Sequence, residues 1–121
     1  IFDVIRQLEN GNARAVWKTL LREGDGGESL LFPLITLMAR EARILWQMHA
    51  GDRVFVPQFV ENEKKRLASR LGFAGLCRVF DVLQKAERSV KSGARQPLQA
   101  MEELIASLSL IFASPQVVQG R

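Results

Sequence analysis

The chain has 121 residues, of which 47% are hydrophobic and 25% are charged, and its formal net charge is +4. This composition is ordinary for a soluble globular protein, and the length corresponds to a single domain. One cysteine, Cys77, excludes an internal disulfide framework and favours a reducing compartment, so we expect a cytoplasmic protein. No stretch approaches the roughly 18 apolar residues needed to cross a bilayer, so we expect no membrane role.

The first two predicted helices are short. Phe2, Ile5 and Leu8 already follow helical spacing at the first residues, which indicates a fragment of a longer protein. Gly11 suits the position after a helix end, and Asn12 suits the N-cap of a second helix that extends to about Glu23. Five residues are predicted on the inward face of this second helix: Ala13, Val16, Trp17, Leu20 and Leu21.

A flexible loop is predicted at residues 24–27, followed by a third helix over about 29–50. Ser29 is the better cap for this helix, although Pro33 also suits a first turn. The apolar residues form two neighbouring stripes, which are Leu31, Leu34, Met38, Ala42 and Leu45, and then Leu30, Leu37, Ile44 and Met48. So broad a surface predicts a central helix packed on two sides. We expect Trp46 in the core, with a partner surface as the alternative.

The fourth predicted helix runs from about Gln58 to Leu71 and is the most polar one. Its expected apolar anchors are Phe59, Val60, Leu67 and Leu71. Gly72 separates it from a fifth helix with an apolar stripe at Phe73, Leu76, Phe80, Leu83, Ala86 and Val90. Cys77 lies within this stripe, where a buried thiol is expected.

Gly93 ends the fifth helix, and Pro97 begins a sixth. The apolar positions of the sixth helix are Leu98, Met101, Leu104, Ile105, Leu108, Ile111 and Phe112. The prediction is therefore an all-α bundle of five to six helices in one domain, residues 1–113, with a flexible C-terminal tail at 114–121.

Candidate catalytic groups are few. His49 is the only histidine and Cys77 is distant in sequence, so neither a metal site nor a nucleophile–base pair is indicated. The glycines at 24, 26 and 27 lack the Lys-[Ser/Thr] of a phosphate loop, and Glu102-Glu103 suits the first turns of a helix. We expect no catalytic, cofactor-binding or metal-binding residues, and hence a packing or assembly domain rather than an enzyme.

The densest basic cluster is Lys64, Lys65, Arg66 and Arg70. Acidic and basic residues are interleaved over most of the chain, and the pairs Asp81/Lys85 and Glu87/Lys91 stand four apart, as on a solvated helix. A solvated face is the favoured interpretation of these charges. The alternative is a small basic helical nucleic-acid-binding domain that uses the four clustered residues.

Several segments resemble one bacterial family. Residues 11–15 and 20–24 resemble its first helical pair, and residues 34–45 resemble a long helix with arginines within an apolar run. Residues 82–93, VLQKAERSVKSG, match the pattern L-x-x-A-[DE]-x-x-[LVI]-K-[ST]-G, and residues 101–105 resemble the closing helix. Together these segments resemble the helical collar domain at the C-terminus of the DNA polymerase III delta subunit. The brief segment 51–56 departs from the extra short helix that many delta chains carry.

The resemblance implies a non-catalytic domain of the replicative clamp loader, within a parent DNA-directed DNA polymerase. Such a collar holds the subunits in a ring so that the sliding clamp can be opened and loaded on DNA. The implied partners are the collar domains of the delta prime and gamma/tau subunits. Sliding clamp and DNA would be reached only through the parent complex, and no membrane or cofactor is implied.

On this resemblance we expect subunit-interface residues mainly on the last two helices. The candidates are Phe73, Arg78, Val82, Lys85, Arg88 and Phe112. For each apolar candidate, a position in the core is the first expectation.

Overall fold

The computed structural model describes residues 1–113 of the chain. Within that range the helices are α1 (Phe2–Glu9), α2 (Ala13–Leu21), α3 (Leu31–His49), α4 (Gln58–Lys91) and α5 (Pro97–Ala113). A short 3-10 turn, Glu28–Leu30, precedes α3, and no residue of 1–113 is in a strand. The prediction of an all-α bundle is confirmed. The predicted tail, 114–121, lies outside the described residues.

The helices α1 and α2 form a tight hairpin. Gly11 has a φ of 74°, and the Asn12 side chain accepts a hydrogen bond from the Ala15 N–H at 3.2 Å, so the predicted break and N-cap are both confirmed. Val16 and Leu20 are buried as predicted, whereas Leu21 is exposed. The prediction for Leu21 is wrong because α2 ends at that residue, where its side chain turns away from the core.

Asp25 organises the loop between α2 and α3. Its carboxylate accepts hydrogen bonds from the backbone N–H groups of Gly27 and Ser29, both at 2.9 Å. The hydrogen bonds from Ser29, and then that from Gly27, hold the pKa of Asp25 below its usual value. Ser29 is not the N-cap of α3, because it lies within the 3-10 turn and Leu30 is the residue that immediately precedes the helix. The helix α3 begins at Leu31, which places Pro33 in its first turn.

The helix α3 is the centre of the bundle, and both α4 and α5 pack on it. Its first predicted stripe, Leu31, Leu34, Met38, Ala42 and Leu45, is completely buried. The second stripe, Leu30, Leu37, Ile44 and Met48, is partly buried. Both stripes are shielded from water at least in part, and two helices pack on α3, so the predicted packing on two sides is confirmed.

The helix α4 bends sharply at Gly72, where φ is 66° and ψ is 177°. Lys64 and Phe80 lie on either side of the bend and contact Glu41 and Trp46 of α3. In a straight helix, residues 64 and 80 would be about 24 Å apart along the axis. Their partners Glu41 and Trp46 are only about 7.5 Å apart along the axis of α3, and about 140° apart around it. The bend at Gly72 therefore allows both halves of α4 to contact α3. The predicted helix boundary at this glycine is confirmed as a break within α4.

Three residues predicted to be buried on α4 are exposed: Phe59, Phe73 and Cys77. Phe59 is 87% exposed, so it is not an anchor of the first half of the helix. The thiol of Cys77 also faces solvent. Val79, which lies beside the predicted stripe, is buried instead of Cys77.

The helix α5 completes the core. Met101, Leu104, Ile105, Leu108 and Phe112 are almost entirely buried. The Arg70 guanidinium donates a hydrogen bond to the Phe112 carbonyl and thereby links the first half of α4 to the last turn of α5. The buried side chains of residues 1–113 are all apolar. No helix in that range is long and apolar enough to cross a membrane.

Substituting Gly72 by Ala should destabilise the protein by about 1–3 kcal/mol, because its backbone conformation is essentially restricted to glycine. A Cβ at this position would meet no atom within 4 Å, so backbone strain alone is responsible. Urea unfolding followed by circular dichroism measures the change in free energy.

Gly24→Ala is the matched control, since a Cβ there also has open space and the residue has no left-handed φ. We expect the free energy of unfolding of Gly24→Ala to be unchanged or up to about 1 kcal/mol higher, because alanine lowers the entropy of the unfolded chain. Equal losses in both variants would contradict the role assigned to the Gly72 backbone.

Candidate functional site

A groove with aromatic walls lies between the C-terminal half of α3 and the second half of α4. Its volume is about 430 Å³, and we call it the aromatic groove; its lining residues are Arg43, Trp46, Gln47, Cys77, Phe80 and Asp81. The ring centroids of Trp46 and Phe80 are 6.4 Å apart in an edge-on arrangement. Trp46 is partly buried and packs against the core, so the expected core position is confirmed in part, and the alternative, a partner surface, stays a prediction.

Phe73 adjoins this groove at the start of the second half of α4. Its ring centroid lies 4.6 Å from that of Trp46 and 4.4 Å from that of His49, the last residue of α3. Phe73 is nevertheless 42% exposed. Such rings gain free energy when a partner covers the remaining surface, which is why aromatic side chains are enriched in protein interfaces.

Opposite charges border the aromatic groove. Arg43 lies on the α3 side and Asp81 on the α4 side, and neither forms an ion pair within residues 1–113. The predicted i,i+4 pair Asp81/Lys85 is thus not formed, whereas Glu87 and Lys91 do pair, at 2.7 Å. An apolar floor with charged edges is the usual anatomy of a protein-binding surface.

A second polar feature joins three helices. The Lys64 ammonium from α4 lies 2.5 Å from the Glu41 carboxylate of α3 and 3.5 Å from the Glu9 carboxylate of α1. We call these three residues the ionic cluster. Their side chains are between 13% and 22% exposed, so water screens the charges only weakly.

Burial raises the pKa of the Glu9 carboxyl to about 7, with Glu41 acting in the same direction and Lys64 opposing it. Burial alone would lower the pKa of Lys64. The hydrogen bond to Glu41 and the negative charges of both carboxylates outweigh that effect, so the pKa of Lys64 rises. The ammonium is therefore held in its charged form across the whole neutral range.

The predicted nucleic-acid patch lies along a wider groove of about 890 Å³ between α1 and the first half of α4. All four of its residues line this groove, but three carboxylates, Glu9, Glu41 and Glu63, line it as well. Lys64 is held in the ionic cluster, Lys65 pairs with Glu61 at 3.0 Å, and Arg70 donates to the Phe112 carbonyl. The patch is therefore not a continuous cationic surface of the kind that follows a phosphate backbone.

The predicted subunit-interface residues are divided among three places. Phe73 adjoins the aromatic groove, and Arg78, Lys85 and Arg88 are exposed on α4. Val82 is partly buried against the core. Phe112 is 1% exposed and belongs to the core, so it is not available to a partner in this fold.

Sequence reasoning missed most of the aromatic groove. Its members lie on two helices separated by the turn at residues 50–57, and periodicity on one helix does not show which faces meet. The available signal was the pair of aromatic residues Trp46 and Phe80, each next to a charged or polar residue at the edge of an apolar stripe.

No group of three or more His, Cys, Asp or Glu side chains among residues 1–113 is placed to hold a metal ion. No family model, curated protein or solved structure matches the chain. The structure itself defines the class as an all-α helical bundle with a partly exposed aromatic groove.

Lys64→Met should cost about 2–4 kcal/mol of unfolding free energy, because it leaves two largely buried carboxylates without a counter-charge. Thermal and urea unfolding at neutral pH measure the loss.

The neighbouring Lys65→Met is the control. Lys65 is 60% exposed and pairs with Glu61 one turn away, a geometry that contributes about 0.5 kcal/mol or less. If both variants unfold at the same urea concentration, the ionic cluster has no special role in stability.

Proposed function

We propose that this chain is a non-catalytic protein-assembly domain, which binds a helical partner protein through the aromatic groove. The carrying observation is the cluster of Trp46, Phe73 and Phe80, whose rings pack on one another and yet remain partly exposed. Clustered aromatic side chains of this kind contribute most of the binding free energy at protein interfaces.

The particular protein that we propose is the collar domain of the delta subunit of a bacterial DNA polymerase III clamp loader. The support is the sequence resemblance over roughly residues 2–113, together with an all-α bundle as the fold. In this role the domain holds clamp-loader subunits in a ring in the cytoplasm. Sliding clamp and DNA are contacted by the parent complex.

The segment with the most specific resemblance, residues 82–93, has a defined place in the bundle. Ala86 is buried, Val90 packs against the core, and Gly93 ends α4 with a φ of 82°. The Gly93 N–H donates to the Val90 carbonyl at 3.0 Å, as in a helix C-cap. The pattern thus supports the proposal by specifying the end of α4 and the turn that leads into α5.

Mixing this domain with collar domains of delta prime and gamma/tau tests the particular assignment. At about 10–50 μM, a complex with a Kd near 1 μM is largely formed. We expect multi-angle light scattering to show a complex with the summed mass. Absence of any complex with both partners at these concentrations would contradict the clamp-loader assignment.

Phe73→Gln should weaken this association about tenfold or more, since it removes an aromatic anchor beside the groove. Isothermal titration calorimetry of wild type and variant against the same partner measures the change, and melting temperatures report whether the fold is intact.

Phe59→Gln is the control, because Phe59 is also an exposed phenylalanine of α4 but lies before the bend at Gly72. Phe73, in contrast, follows the bend and packs against Trp46 of the aromatic groove. We expect less than a threefold change in Kd. A larger effect of Phe59→Gln than of Phe73→Gln would move the interface away from the groove.

A further inference from the structure

The ionic cluster is placed where the first helix meets the rest of the bundle. Glu9 is the last residue of α1, Glu41 lies in the middle of α3, and Lys64 lies in the first half of α4. These residues are far apart in sequence, so the single ammonium of Lys64 connects three separate helices. Among the ion pairs of residues 1–113, the Glu9–Lys64 contact is the one that ties α1 to another helix.

The charges within the cluster do not balance when both carboxyls are ionised. Two carboxylates then face one ammonium in a region that is largely shielded from water. The Glu9 Oε2 atom is buried and has no hydrogen-bond partner among the described residues. An ionised carboxylate with one unsatisfied oxygen is costly to bury, whereas a protonated one removes the excess charge.

Other charged groups surround the wider groove that contains the cluster. Arg6 lies on the same helix as Glu9 and pairs with Asp3. The remaining charged groups around this groove all come from α4: Glu63, Lys65, Arg66 and Arg70. The direct ion-pair contact of Glu9 remains with Lys64, and Glu41 is the second carboxylate on that same ammonium.

We propose that the ionic cluster is a pH-sensitive latch for α1. Uptake of one proton by its two carboxylates strengthens the attachment of α1 to α3 and α4, and loss of that proton weakens the attachment. This inference depends on the fold alone and is independent of the proposed assembly function.

The pKa of Glu9, raised to about 7 by burial, determines the direction and the pH range of the effect. A group whose folded pKa exceeds its unfolded pKa binds more protons when folded, so its contribution to stability decreases as the pH rises. The contribution of Glu9 to stability begins to decrease near its ordinary pKa of 4.5, and the decrease is complete once the pH exceeds about 7. The latch is therefore tighter in mildly acidic solution than in mildly basic solution.

Amide hydrogen exchange across α1 at pH 6 and pH 8, corrected for intrinsic exchange rates, tests the latch. We expect the protection of the amides of Leu8, Glu9 and Asn10 to fall about tenfold in the wild type, given one proton with a folded pKa near 7. The buried centre of α5, around Leu104 and Leu108, serves as the internal reference and should change less than twofold.

Glu9→Gln mimics the protonated carboxyl and should keep α1 protected to the same degree at both pH values. Glu41→Gln leaves one carboxylate against one ammonium, so the pH dependence of α1 protection should become smaller. Circular dichroism checks that this variant is still folded. A change below twofold in the wild type overturns the proposal. A tenfold change that persists in a folded Glu9→Gln variant also overturns it, because another group would then carry the titration.

Discussion

The whole bundle depends on the need to cover α3 on two sides. Five residues of this helix are completely buried, and a second stripe beside them is partly buried. One straight neighbouring helix would cover only one of these surfaces. The bend at Gly72 allows both halves of a helix of 34 residues to contact α3, and α5 packs on α3 as well. The half that follows this glycine supplies Cys77, Phe80 and Asp81 to the aromatic groove.

Polar interactions occur only at the margins of this core. The buried side chains of residues 1–113 are apolar, and the ionic cluster lies at the edge where α1, α3 and α4 converge. Its residues are shielded enough for burial to shift the pKa of Glu9. They remain open enough to the wide groove for a proton to reach them. A fully exposed pair contributes too little to stability to hold α1, so the pH-dependent attachment depends on this partial burial.

The two grooves of the molecule differ in character, and the difference supports an assembly role. The wide groove beside α1 carries charges of both signs, most of which are already paired within the fold. The aromatic groove has a ring-lined floor, and the charges at its edges, Arg43 and Asp81, form no ion pair with any residue of 1–113. A partner that buries Trp46, Phe73 and Phe80 gains apolar contact area, and Arg43 and Asp81 would orient it. Of the four basic residues that first suggested nucleic acid, Lys64 and Arg70 link α4 to other helices, and Lys65 pairs within α4.

Helix positions and most of the core followed from the sequence alone, because periodicity, caps and glycines act locally. Asn12, Gly72, Gly93 and Pro97 mark helix boundaries at the predicted places, and the α3 stripe is buried as its spacing indicates. The errors at Phe59, Phe73 and Cys77 concern which face of a helix meets the core, which spacing along one helix does not fix. The error at Ser29 concerns a local turn, in which the Asp25 carboxylate accepts the Ser29 N–H. Only the tertiary structure decided that Lys64 pairs with carboxylates from two other helices, and that Trp46 and Phe80 share one groove. Helical periodicity determines which residues of one helix share a face, whereas the meeting of two faces is set by the packing of the whole chain.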